Sequence, residues 1–177
     1  MSAWIFGYGS LIWRPDIEYK AKSLATLSGY ARRFWQGSHD HRGTPDAPGR
    51  VVTLIEDKTT QCVGMAYLVE SHVLQQTYDN LDYREKNGYE RFDVSLTLDS
   101  GAMVNALTYI APPGNFAYLG DAPIHEIAKQ IHISHGPSGA NKDYLLELAQ
   151  ALRRLDIHDE HIFELESLIQ ALLGTTP

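Results

Sequence analysis

The sequence predicts an α+β fold, a mixed sheet or small barrel with helices packed outside it. Three observations predict it. Short β-branched or alternating runs recur from Ala3 to Ile110. One helical stripe, Leu74, Tyr78 and Leu81, interrupts them. From Asp121 onward the apolar periodicity is helical only.

In order, Ala3–Phe6 reads as a short apolar strand that stops at Gly7-Tyr8-Gly9-Ser10. Leu24–Trp35 is aromatic, partly alternating and predicted extended. Arg50–Glu56 is β-branched and reads as a strand. Gln61–Val69 is apolar on both faces, as expected of a second strand in a barrel or covered sheet. Ser71 has the chemistry of an N-cap for the helix carrying Leu74, Tyr78 and Leu81. Phe92, Val94, Leu96 and Leu98 alternate with polar residues and predict a half-buried strand. Asp99-Ser100-Gly101 joins it to Met103–Ile110 as a hairpin. Asp121 and Pro123 start a helix with Ile124, Ile127, Ala128 and Ile131 on one stripe. Asn141 precedes a third helix, striped by Leu145, Leu148, Ala149, Leu152 and Leu155, and a fourth covers about Asp159 to Leu173. His39–Gly49 is the longest polar loop, and no internal repeat or low-complexity stretch occurs. These elements predict a single domain over 1–177, with a helical part at about 121–173.

The chain has 177 residues, 44% hydrophobic and 21% charged, enough to bury a core without disulfides. Fifteen Lys and Arg against 22 Asp and Glu give a net charge of −7, which argues against a nucleic-acid partner. The one cysteine, Cys62, lies in the apolar run Cys62-Val63-Gly64-Met65-Ala66 and reads as a small core residue in a reducing compartment. The apolar run Ala3–Phe6 is too short for a signal peptide or a membrane span. A cytoplasmic protein with no membrane contact is the expectation.

Four stretches are candidates for chemistry. Glycines at the strand end in Gly7-Tyr8-Gly9-Ser10 suit either a plain turn or a nest of main-chain N–H groups for a carboxylate or oxyanion. No Gly-Lys-Ser/Thr follows, so it is no P-loop; no third glycine and helix follow, so it is no dinucleotide fingerprint. Ser10 does not stand in a G-x-S-x-G elbow. Glu85 is spaced 0, 4, 7 and 11 with Leu74, Tyr78 and Leu81. If the helix runs that far, Glu85 lies on the apolar stripe, partly desolvated and suited to general-base work. If the helix stops near Asp82, Glu85 belongs to a solvated turn before Gly88. His39 and His41 share a face if extended, but no further ligand cluster accompanies them, and a polar loop is the preferred reading. Gly136-Pro137-Ser138-Gly139-Ala140-Asn141 reads as a helix stop, a turn and a new N-cap.

Taken together, these landmarks resemble a known family. Ile5 to Trp13, Arg32 to Ser38, Asp40 to Gly43, Pro48 to Leu54, Leu81 to Lys86, Tyr118 to Gly120 and Gly136 to Leu145 stand in the order found in the ChaC family of γ-glutamylcyclotransferases that act on glutathione, in particular its short members. One departure is Asn87, where the family pattern has a glycine before Gly88. Asn tolerates the left-handed backbone region, so little effect is expected.

The resemblance implies a small mixed β-barrel with surrounding helices. It implies that Glu85 is the catalytic glutamate and that Ile5, Phe6, Gly7, Tyr8, Gly9, Ser10 and Leu11 form the substrate-binding stretch. It also implies that Tyr118 lines the substrate pocket. The expected reaction closes the γ-glutamyl amine on its own γ-carbonyl, giving 5-oxoproline and Cys-Gly. Ring closure within one molecule asks for positioning, a base and oxyanion donors, and for no metal or cofactor.

Overall fold

A computed structural model describes residues 1–174. Residues 175–177, the end of the expected single domain, lie outside the described residues. Among the described residues, the barrel strands are β1 (Ala3–Gly7), β2 (Ala21–Ser38), β3 (Gly49–Val69), β4 (Glu90–Leu98) and β5 (Met103–Ile110). They close in the order β1-β3-β2-β4-β5. β1 pairs antiparallel with β3 and parallel with β5, so the barrel is mixed, as expected. The helices are α1 (Ser71–Arg84), α2 (Ile124–Ile133), α3 (Asn141–Arg154) and α4 (Glu160–Gly174), and a two-stranded ribbon pairs β6 (His135–Gly136) with β7 (Gly139–Ala140).

Two compact units divide the chain. The first comprises Met1–Arg32 and Leu54–Pro112. Ile5, Leu11, Val69, Leu81 and Tyr109 form a buried cluster in it, with Val73, Leu74 and Tyr78 of α1 packed against them. The α1 stripe is therefore the one the spacing predicts. The second unit comprises Arg33–Thr53 and the chain from Pro113 onward. There α2, α3 and α4 pack on one another, and their Ile127, Ile131, Leu145, Leu148, Leu152, Ile162, Leu165 and Ile169 are all buried. Tyr144 of α3 meets Phe34 edge-on, with ring centroids 5.7 Å apart.

Several expectations are corrected. The runs Arg50–Glu56 and Gln61–Val69 belong to one 21-residue strand, because Asp57-Lys58-Thr59-Thr60 stays extended instead of turning. Thr59 donates to Asp57 Oδ1 from both its N–H, at 3.0 Å, and its hydroxyl, at 2.6 Å. Glu70, not Ser71, is the N-cap of α1, and no side chain caps it. The Glu70 carboxylate turns outward instead, 3.4 Å from Lys20 Nζ. Pro123 sits at the N-cap of α2 rather than inside it, and Ala140 is the N-cap of α3. Asn141 is drawn inward. Its Oδ1 accepts from Arg50 N–H at 2.7 Å and its Nδ2 donates to the Arg50 carbonyl at 2.8 Å, as a neighbouring strand would. The turn before Asn141 is the β6–β7 ribbon, closed through Gly139 at φ +115°. Phe92 is 36% exposed, contrary to its place in the alternation. β2 pairs with β4 at Ala25 with Leu98 and Thr26 with Thr97, at the far end of β4 from Phe92. Cys62 is a buried free thiol, as expected.

Candidate active site

The end of β1 delivers the chain into a single helical turn. Ile12 N–H donates to the Gly9 carbonyl at 2.9 Å, and Arg14 N–H to the Ser10 carbonyl at 2.7 Å. Gly7 and Gly9 are not among the positive-φ residues. The need for Gly7 is therefore space: a Cβ there would stand 2.6 Å from Leu11 Cβ. Gly7→Ala is expected to lower stability by about 1–3 kcal/mol through overpacking, read as a shift of the urea midpoint at constant slope.

Every carbonyl and side-chain handle of this loop from Tyr8 to Leu11 is gripped by protein. Tyr8 points inward, and its hydroxyl donates to the Tyr109 carbonyl at 2.6 Å. The Tyr8 carbonyl accepts from Arg32 Nε at 2.7 Å. Arg32 is 2% exposed and its guanidinium also donates to the Val63 carbonyl. The Leu11 carbonyl accepts from the Tyr67 hydroxyl at 2.6 Å. Burial, with nearby Tyr19 adding and Arg84 opposing, pushes the Tyr67 phenol up to about 12, so it stays a donor at any working pH. Ser10 Oγ accepts from Arg84 Nη2 at 2.8 Å. The donors are another matter. Among the described residues, the successive N–H groups of Gly9, Ser10 and Leu11 make no hydrogen bond to protein. A loop whose acceptors are taken and whose donors are not is suited to an oxygen that carries or gains negative charge.

Glu85 stands at the end of α1. The helix runs through Arg84, and Glu85 is its C-cap, with its N–H donating to the Leu81 carbonyl at 2.8 Å. It lies four residues beyond buried Leu81 and is itself half-buried: α1 runs past Asp82 but ends one residue short of Glu85, which opens the turn that leads to Gly88. The last turn of α1 is fixed from two sides. Asp82 Oδ1 accepts from the Tyr109 hydroxyl at 2.6 Å and from Arg91 Nε at 2.8 Å, while Arg91 Nη2 bonds Asp82 Oδ2. The hydrogen bond from Arg91 holds the Asp82 carboxyl below its usual range. Burial, reinforced by the Asp82 hydrogen bond, raises the Tyr109 phenol. Arg84 ties the same turn to Ser10 and, through Nη1 at 3.2 Å, to the Pro15 carbonyl. Glu85 and the donor loop are thus held in one unit through adjacent residues.

The other expected site residues are placed as follows. Ile5 and Phe6 are both 0% exposed. Tyr118 belongs to the second unit, where a bridge to Gln36 and a side-chain pair between Gln36 and Asn115 fasten its loop. Burial, with Asp121 adding, raises its phenol. His41 bonds Ser138 Oγ through Nδ1 at 3.0 Å, and His39 stacks obliquely on Phe116, so the two histidines serve different neighbours. No group of three or more His, Cys, Asp or Glu among the described residues is arranged to hold a metal ion. The left-handed position of the motif is Gly88, at φ +94°, and Asn87 is not among the positive-φ residues. The clamps from Arg32, Tyr67 and Arg84 escaped the sequence reading, since each reaches a carbonyl or hydroxyl far away in the chain.

The family model for ChaC-like proteins matches residues 3–172. The chain belongs to this family. Glutathione-specific γ-glutamylcyclotransferase 1 of Danio rerio is 43% identical over 98% of this ChaC-like chain and 90% of its own length. Glutathione-specific γ-glutamylcyclotransferase of Saccharomyces cerevisiae is 34% identical over 97% of the chain and 94% of its own. A crystal structure of a γ-glutamyl cyclotransferase specific to glutathione from yeast superposes with a TM-score of 0.91, at 31% identity and 96% coverage of both chains. The mixed barrel with outer helices is the architecture of that family.

Proposed function

We propose that this ChaC-like protein is a glutathione-specific γ-glutamylcyclotransferase in which Glu85 is the general base and the turn from Gly7 to Leu11 holds the γ-glutamyl group. The observation that carries the activity is the 43% identity, over nearly the whole chain, to a relative named for it. The α-amine of the γ-glutamyl group attacks its own γ-carbonyl carbon. The amide bond to cysteine breaks, and the proton lost by the amine passes by way of Glu85 to the leaving nitrogen. Glutathione becomes 5-oxoproline and Cys-Gly, and no water is consumed. The N–H groups of Gly9, Ser10 and Leu11 meet the carbonyl oxygen as charge gathers on it. Ile5 and Phe6, fully buried, support the stretch from behind. Tyr118 as a substrate contact is supported by the family pattern alone.

No helix among the described residues is long and apolar enough to cross a membrane. A cytoplasmic location suits this reading, since glutathione and a reduced Cys62 belong to the same compartment. The test supplies the purified protein with glutathione and, in parallel, γ-glutamyl-alanine. Release of Cys-Gly from glutathione with little turnover of the alanine compound is the expected result. Equal turnover of both would make the protein a general γ-glutamyl cyclotransferase.

A further inference from the structure

We infer that Arg84 is a positioning residue for this reaction, acting through Ser10 and not on the substrate. The inference rests on the reading of Glu85 and the donor loop given above. An arginine in the last turn of a helix can bond the last carbonyls of its own helix. Arg84 instead reaches out of α1. Its Nη2 donates to Ser10 Oγ at 2.8 Å and its Nη1 to the Pro15 carbonyl at 3.2 Å, partners 74 and 69 residues away in the chain. Ser10 is the middle of the three residues whose N–H groups make no hydrogen bond to protein, and Glu85 is the next residue after Arg84. One side chain therefore couples the oxyanion donors to the backbone that carries the base.

Other contacts hold each part separately. The loop keeps Arg32 on the Tyr8 carbonyl and Tyr67 on the Leu11 carbonyl. The helix keeps Leu81 in the core and Asp82 on Tyr109. Without Arg84 both parts persist and the distance between base and donors loosens. Reactions that depend on near-attack geometry lose on the order of a hundredfold for about an ångström of misplacement. The fork matters as well as the charge, because an ammonium is a point donor and cannot span two acceptors in one plane.

The test compares wild type, Arg84→Met, Arg84→Lys, Ser10→Ala and the Arg84→Met/Ser10→Ala double variant. It measures kcat and KM for glutathione, the pH profile of kcat, and thermal melting. Arg84→Met is expected to lower kcat roughly tenfold to a hundredfold, with KM nearly unchanged and the pH midpoint unmoved. Arg84→Lys should recover only part of the loss. The double variant should be no slower than Arg84→Met, because both changes cut the same tie. Additive losses, full recovery by lysine, a displaced pH midpoint, or an Arg84→Met variant with wild-type kcat each overturn the inference. If Arg84→Met fails to fold, Ser10→Ala carries the test, and wild-type kcat in that variant overturns the role. Wild-type protein inert toward glutathione would overturn the function and this inference with it. Active wild type with unaffected variants overturns the inference alone.

Discussion

Glu85→Gln is expected to give a folded protein with no measurable glutathione turnover. The substitution keeps the size of the side chain and a capacity to hydrogen-bond, and removes its charge and basicity. The contact by which Glu85 closes α1 is made by its main-chain N–H to the Leu81 carbonyl, which glutamine preserves. The melting temperature should therefore stay within a few degrees of wild type. General bases contribute about 10²–10⁴ in rate. In the proposed mechanism the same group also returns the proton to the leaving nitrogen, so the loss should lie at the upper end or beyond. Binding of 5-oxoproline, followed by calorimetry, should survive. Near-normal turnover in this variant would remove Glu85 from the mechanism.

Gly9→Ala is expected to be folded and nearly inactive. Gly9 is not at positive φ, so alanine meets no left-handed backbone penalty there. What changes is the surface that the Gly9 and Ser10 N–H groups present. On the proposed function, a methyl there competes with the γ-glutamyl carbonyl for the space, or tilts the turn that aims the donors. Loss of one well-placed oxyanion donor costs about 10²–10³ in kcat elsewhere. Melting and turnover on one preparation decide the point. A variant that is less stable but fully active per folded molecule would make the Gly7–Ser10 stretch an ordinary turn.

The elements with a strong local period were legible in the sequence. The hairpin of β4 and β5, the stripe of α1 and the burial of α2 and α3 all follow from spacing alone. Extended chain without alternation was harder to bound. Nothing in Asp57-Lys58-Thr59-Thr60 distinguishes a turn from a solvated stretch of strand, so β3 read as two strands. Capping failed where a tertiary partner claimed the polar group: Asn141 has N-cap chemistry, yet Arg50's main chain takes its amide. In the site, Glu85 could be placed on the apolar stripe only conditionally, because the end of α1 depends on Asp82 and Arg84 finding Tyr109 and Ser10. Gly7 and Gly9 also differ in what they do. Gly7 makes room for Leu11, a packing need invisible to a motif, whereas Gly9 opens the run of three N–H groups that bond to no protein acceptor.

The central claim is that the substrate's own amine closes the ring while the protein positions it and moves a proton. Purified protein incubated with glutathione in isotopically labelled water, with products followed by mass spectrometry, tests this directly. The account predicts 5-oxoproline and Cys-Gly in equal amounts, with no solvent oxygen in either. Free glutamate carrying label from the water would mean hydrolysis, and would contradict it.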